Sequence, residues 1–325
     1  MITQMVSVEE FNAIGESITK ERGLKSPLPS INQRVSIQLF AHCIGDDKAR
    51  VAAFAREKTG YLGWYASSEN SGLSTSVLNA ACDWLKANGC TTAHGPINGS
   101  TWGDYRFNLD SETPLFPGEP VQPIYFIAQW ENAGFQKDLT YETTIVHDLP
   151  KEPLTLHFVN QHLDQFGARA DYFPQEIGEE LSKQLYDFYH LCFQYNPLFE
   201  AISFERYKAI TEKASTILDY DCSYLLEDSE SNPIGVFLAY RDVYAHLRED
   251  EESILFLKTI AVHPDWQNKF IGQMMIGLTL LQSKEVGYDQ SVFSMMFSKN
   301  LSAIKGKSNF GSTVLRKYAL YTKQL

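Results

Sequence analysis

Apolar positions fall into short runs broken by turn residues in the first half of the chain. Val35–Ile44 and Val51–Glu57 predict adjacent strands joined across the polar Gly45–Asp47 turn, and Gly60–Ala66 predicts a third. Leu73–Leu85 changes period: Leu73, Val77, Leu78, Ala81 and Leu85 recur at helical spacing, and Asn88-Gly89 supplies the stop. Extended chain resumes over Cys90–Ala93, ahead of Gly95-Pro96.

The second half repeats this order after helices of its own. Ile177–Phe193 and Phe204–Ala214 predict helices, the first broken at Asn196-Pro197, where a proline disrupts continuation. Ser223–Glu227 and Ile234–Arg241 predict strands across an Asp228–Pro233 turn, and Ile254–Val262 a further one ended by His263-Pro264. Helix Ile271–Val286, strand Ser291–Phe297 and strand Val314–Thr322 complete the series. An antiparallel run followed by a β–α–β crossover predicts a mixed α/β sheet. The proline-punctuated stretch His147–Pro153 reads as a linker, dividing the chain into 1–150 and 151–325.

With 325 residues, two cores are expected. A 44% hydrophobic share with 42 aromatics can fill them, which excludes a disordered chain. No apolar run reaches the roughly 18–20 residues that span a bilayer, and the acidic amino terminus lacks a signal-peptide layout. Five cysteines without a CxxC pairing read as reduced thiols, so a cytoplasmic protein with no membrane partner is expected. The net charge of −12 argues against a nucleic-acid partner. That charge is uneven: Leu255–Leu325 carries nine basic against three acidic residues, leaving −18 on the first 254. A locally cationic tail suits a phosphorylated small ligand, and the acidic remainder a cationic acceptor.

Chemistry concentrates in Leu257–Gln273, LKTIAVHPDWQNKFIGQ. An apolar strand stops at proline, crosses a polar loop and enters a helix, whose first amides and positive dipole end can hold a pyrophosphate. Lys269 lies in that loop, and Gly272 permits close backbone approach.

This stretch resembles the GNAT acyltransferase superfamily, whose phosphate loop reads Q/R-x-x-G-x-G/A after a strand ending in a V-x-P-like turn. Val262, His263, Pro264, Gln267 and Gly272 carry the resemblance, while Phe270 stands at the first glycine. Phenylalanine serves there at negative φ; a left-handed φ would cost it about 1–2 kcal/mol. Asn300 and Ala303, after strand Ser291–Phe297, match the positions that contact the pantetheine arm. The resemblance covers about Gly167 to the end. The first half is similar to the noncatalytic half of tandem GNAT proteins, with Ser67–Gly72 at the loop position, Glu69 where an anion would sit, and Asn98 as a counterpart of Asn300.

The resemblance implies two tandem GNAT-like domains: a degenerate first one with a structural or acceptor-shaping role, and a second that transfers an acetyl group from acetyl-CoA to an amine. It implies a cofactor site of Ile260, Ala261, Val262, Gln267, Asn268, Lys269, Phe270, Ile271, Gly272, Gln273, Asn300 and Ala303. The amine needs a base, for which Glu252 is the first candidate and Glu251 the second, and Tyr318 or Tyr321 would substitute for the family's missing acid tyrosine. Phe199 and Glu200, in the helix-breaking NPLF segment, are expected to shape the acceptor pocket. His190 and Cys192 sit at i, i+2 on one helix and do not face each other, which argues against a Cys–His nucleophile. No metal is expected, and the assembly would be a monomer or homodimer. A CoA-binding protein with little or no turnover is the alternative, on the strength of Phe270 and the missing tyrosine. An aminoacyl transferase acting on charged RNA is disfavoured by the net charge.

Overall fold

The computed structural model describes residues 3–20, 36–112, 115–116, 118–146, 154–247, 253–300 and 308–325. The chain forms two compact units, Met1–Tyr141 with Arg316–Leu325, and Glu142–Leu315. Both are mixed α/β: an antiparallel run of strands leads into one parallel crossover through a helix.

The first unit begins with β1 (Gln4–Met5) and α1 (Val8–Lys20). Helix α1 escapes the periodicity reading because Gly15 interrupts the stripe of Phe11, Ile14 and Ile18. Glycine is required there, since a Cβ would lie 1.9 Å from the guanidinium carbon of Arg50, which is buried against the helix. Strands β2 (Ser36–Ile44), β3 (Asp47–Arg56) and β4 (Thr59–Ser67) pair antiparallel in succession. Helix α2 (Ser71–Ala87) buries Leu73, Val77, Leu78, Ala81 and Leu85, the predicted face. It leads to β5 (Thr92–Gly95), which lies parallel to β4. Strand β6 (Phe107–Asn108) and helix α3 (Tyr125–Asn132) follow, and β7 (Gln136–Val146) carries the chain from the first unit into the second.

The second unit contains α4 (Leu156–Leu163), β8 (Ala168–Tyr172), α5 (Glu179–Phe193) and α6 (Phe204–Ser215). Strands β9 (Tyr224–Asp228), β10 (Pro233–Tyr240) and β11 (Ile254–Val262) then pair antiparallel, with β8 on β9. Helix α7 (Ile271–Glu285) crosses to β12 (Gln290–Phe297), parallel to β11. Its buried Ile271, Met275, Leu278 and Leu280 share a core with Val159 and Leu163 of α4 and with Leu255 and Leu257 of β11. By strand alternation, Phe256 and its partner Tyr240 lie on the opposite face, where α5 packs on β10 and β11.

The last strand, β13 (Thr313–Gln324), departs from expectation. Its pattern predicts a closing strand of the second domain, yet from Arg316 onward it belongs to the first unit. It pairs antiparallel with β5 from Tyr321↔Gly95 to Gln324↔Thr92, and with β6 at Tyr318↔Asn108 and Ala319↔Phe107. Ala319 and Tyr321 enter the core around Phe107 and Trp130. The predicted 150/151 division and the linker lie in 147–153, outside the described residues.

Candidate functional site: an open wedge and an uncapped helix

Strands β11 and β12 pair from Ile254↔Gln290 to Leu257↔Phe293, and there the ladder ends, although both strands continue. At that point Leu238 of β10 pairs with Thr259 while Ala239 pairs with Leu257, so Lys258 is an extra residue on β11. Such a bulge bends its strand and sharpens the twist. Beyond it β11 stays on β10 as far as Val262↔Gly235. The two parallel strands therefore diverge into a wedge, and alternate backbone groups of Thr259–Val262 point into it.

The end of β11 is held by His263 N–H, which donates to Ile234 O at 2.8 Å. A 3-10 turn over Pro264–Trp266 follows, with the His263 ring accepting from Asp265 N–H. Gln267 Nε2 donates back to Val262 O at 3.3 Å, tying the loop to the strand it leaves. Asn268 and Phe270 then both adopt positive φ, +66° and +58°. Phe270 is the residue before α7, is 69% exposed, and offers the helix no side-chain cap. Among the described residues no protein acceptor meets the amides of Asn268 to Gln273. These donors gather at the positive end of a 15-residue helix. A Cβ added at Gly272 would meet nothing within 4 Å among the described residues, which leave the space over this turn open.

Lys269 supplies the cation. Its Nζ lies 4.1 Å from the centre of the Trp266 ring and 5.0 Å from that of Phe166. His162 Nε2 donates to Lys269 O at 3.4 Å. The loop thus rests on the end of α4, an anchoring that the sequence does not disclose, because Phe166 and Trp266 are 100 positions apart.

The predicted cofactor residues divide by position. Ile260, Ala261 and Val262 lie on the splayed part of β11, Gln267 to Gln273 on the loop and first helical turn, and the Ile271 side chain points into the core. Asn300 stands in the turn after β12, its N–H donating to Phe297 O at 2.9 Å. Ala303 and both proposed bases, Glu251 and Glu252, lie outside the described residues.

Tyr318, expected as a proton donor, is fully buried in the first unit, its hydroxyl donating to the Glu119 carboxylate at 2.5 Å. Tyr321 is likewise buried there, bonded to Glu131.

Phe199 and Glu200 follow the turn after α5, where Leu198 takes positive φ. The Phe199 ring meets His190 edge-on at 5.7 Å. His190 Nδ1 donates to Tyr186 O at 2.7 Å and its Nε2 accepts from Ile202 N–H, so one neutral tautomer is held in place. Burial pushes the Cys192 thiol up to about 12. Neither residue is equipped as a nucleophilic pair.

The first unit contains the corresponding strand, loop and helix, with both features filled. Past the ladder of Thr59↔Thr92 to Tyr61↔His94, Ile97 N–H donates to Leu62 O at 2.8 Å and Trp64 N–H to Asn98 Oδ1 at 2.6 Å. A Cβ on Gly63 would fall 2.0 Å from Ile97 O, so the chain at 97–98 closes the wedge by direct contact. At the helix, Asn70 Oδ1 caps the amides of Gly72 and Leu73 at 3.1 and 3.2 Å. Glu69, the sequence signal against an anion here, is joined by this side-chain cap.

No sequence-family model matches the chain, and no curated protein matches it. Solved structures do. A GCN5-related N-acetyltransferase from Sphaerobacter thermophilus superposes with TM-score 0.51 at 12% identity, over 99% of this chain and 95% of that one. A tandem GNAT protein from the clavulanic acid biosynthesis pathway gives 0.52 at 10%, over 99% and 97%. A probable N-acyltransferase from Enterococcus faecalis V583 gives 0.60 at 8%, over 99% and 71%. Backbone architecture along nearly its whole length thus gives this chain the fold of the GNAT N-acetyltransferases.

Proposed function

We propose that the second unit binds acetyl-CoA and transfers its acetyl group to the amine of a small molecule or peptide. One observation supports the reading: the wedge between β11 and β12 runs toward a helix start whose amides meet no acceptor among the described residues. A diphosphate fits those amides, with Lys269 beside it, and an extended pantetheine arm fits the diverging strands as an added strand would. Bound there, acetyl-CoA supplies an acyl group already activated as a thioester. The N–H groups of β11 that face the wedge are placed to hydrogen-bond the carbonyl oxygen as charge develops on it. Glu252, Glu251 or water takes the proton from the attacking amine, the carbon–sulfur bond of the thioester breaks as the amide forms, and the departing CoA thiolate takes a proton from solvent. The first unit, with its wedge and helix start filled, takes a structural or acceptor-shaping role and binds no second CoA.

A thermal-shift titration with CoA tests the site. Wild type is expected to melt higher, by a stability gain of about 2.7 kcal/mol at a hundredfold excess over Kd. Gly272→Ala, which fits the open space, keeps the shift; Gly272→Glu abolishes it by placing bulk and negative charge at the phosphates. Absence of a shift in wild type would end the reading. A second reading, CoA binding without turnover, is favoured by the left-handed Phe270. CoA binding without thiol release from acetyl-CoA across a broad amine panel would select it.

A further inference from the structure

Two aromatic rings from different elements converge on the loop lysine. Lys269 stands within the run Asn268–Gln273, between two residues of positive φ, Asn268 and Phe270. Among the described residues no carboxylate pairs with its ammonium. Its Nζ lies instead over Trp266, from the turn that opens the loop, and over Phe166, from the turn after α4. Behind Phe166 stands His162 of α4, ring centroids 5.4 Å apart, and His162 Nε2 donates to Lys269 O. The end of α4 thus holds both the side chain and the backbone of Lys269. Phe166 and His162 precede Gly167, where the GNAT resemblance begins, so this support is an addition of this chain.

Two explanations compete for the contact. A lysine can lay its apolar stem on a ring and send its charge into water. Here it is the ammonium nitrogen that sits 4.1 Å from the Trp266 ring centre, the geometry of a cation–π contact. A carboxylate partner would order the lysine by cancelling its charge, whereas aromatic faces order it and leave the charge whole. Ordering a long side chain opposes binding when it happens at the moment of association. A cation already held among open amides spares an arriving anion that cost.

We infer that Trp266 and Phe166, with His162 behind them, are positioning residues that hold Lys269 charged and ordered for the diphosphate of CoA. The inference rests on the acyl-transfer reading for the identity of the anion. The test is calorimetric titration of the full chain with CoA, 3′-dephospho-CoA, pantetheine and inorganic pyrophosphate. Trp266→Leu and Phe166→Leu should each weaken CoA and 3′-dephospho-CoA about three- to tenfold. Pantetheine, which carries no phosphate, should bind wild type and both variants alike. Trp266→Phe should restore most of the affinity, and adding Trp266→Leu to Lys269→Met should weaken CoA no further than Lys269→Met alone. Wild-type CoA affinity in either leucine variant, equal weakening of pantetheine, or full additivity with Lys269→Met would overturn the inference. So would a loss seen with CoA and absent with 3′-dephospho-CoA, which would assign the lysine to the 3′-phosphate. If wild type binds no CoA, the acyl-transfer reading falls and pyrophosphate decides separately. Pyrophosphate binding weakened by Trp266→Leu and Lys269→Met would keep the ring-held cation as an anion site, and no pyrophosphate binding would remove it too.

Discussion

Tyr318 donates its hydroxyl to Glu119 Oε1 at 2.5 Å, across 199 positions of sequence. The same carboxylate, its side chain fully buried, receives Arg316 Nη1 at 2.7 Å and the Leu115 amide. One buried anion thus ties the end of the chain into the first unit. Tyr318→Phe withdraws one of its donors and is expected to cost about 1–3 kcal/mol. Chemical denaturation monitored by near-ultraviolet circular dichroism measures this; an unchanged midpoint would show that the bond contributes nothing net.

Deleting Arg316–Leu325 goes further, removing buried Tyr318, Ala319, Leu320 and Tyr321 together with the strand that pairs with β5. The first unit should then lose cooperative unfolding and become protease-sensitive, although it begins 315 positions upstream. A truncated chain that melts like wild type would contradict this assignment of β13.

Phe270 holds φ +58°, where a side chain costs about 1–2 kcal/mol, part of which glycine returns through greater unfolded-state freedom. Phe270→Gly is expected to raise stability by up to about 1 kcal/mol, and Phe270→Ala, which keeps a Cβ, is not. Comparing the two melting curves separates backbone strain from loss of an exposed ring, and a gain in the alanine variant would attribute the effect to the ring.

Asn70 caps α2 through two amides. Asn70→Ala should destabilise the first unit by about 1 kcal/mol and leave CoA binding unaltered, because the proposed site lies in the second unit. Loss of CoA affinity in this variant would place cofactor contacts in the wrong unit.

Burial raises the Cys82 thiol to about 11. The unfolded chain loses that proton near ~8.5 while the folded one keeps it, so the contribution is intact below about pH 8.5 and falls as pH rises toward 11. Cys82→Ala should flatten the decline in stability between about pH 9 and 11, by at most about 1.4 kcal/mol per pH unit. Identical slopes for the two proteins would rule out Cys82 as the source.

Short-range order was legible in the residues themselves. Leu73 to Leu85 and Ile271 to Val286 announce helices by their spacing, His263-Pro264 announces the end of a strand, and Gln267 with Gly272 points to the loop. Helix α1 was not legible, because Gly15 breaks its apolar stripe for the sake of Arg50, a partner 35 positions away.

Periodicity reports which face of an element is buried, and it does so from neighbours along the chain. It carries no record of the strand that lies alongside. The Val314–Thr322 pattern is therefore a strand on its own evidence, while Tyr318, Glu119 and the pairing with β5 decide which unit owns it. In the same way Phe270 stands in the sequence at a glycine position, but only the folded backbone gives it a left-handed φ. The opening of the wedge at Leu257↔Phe293 and its closure in the first unit by Asn98 are also tertiary, because each depends on where a neighbouring strand stops pairing.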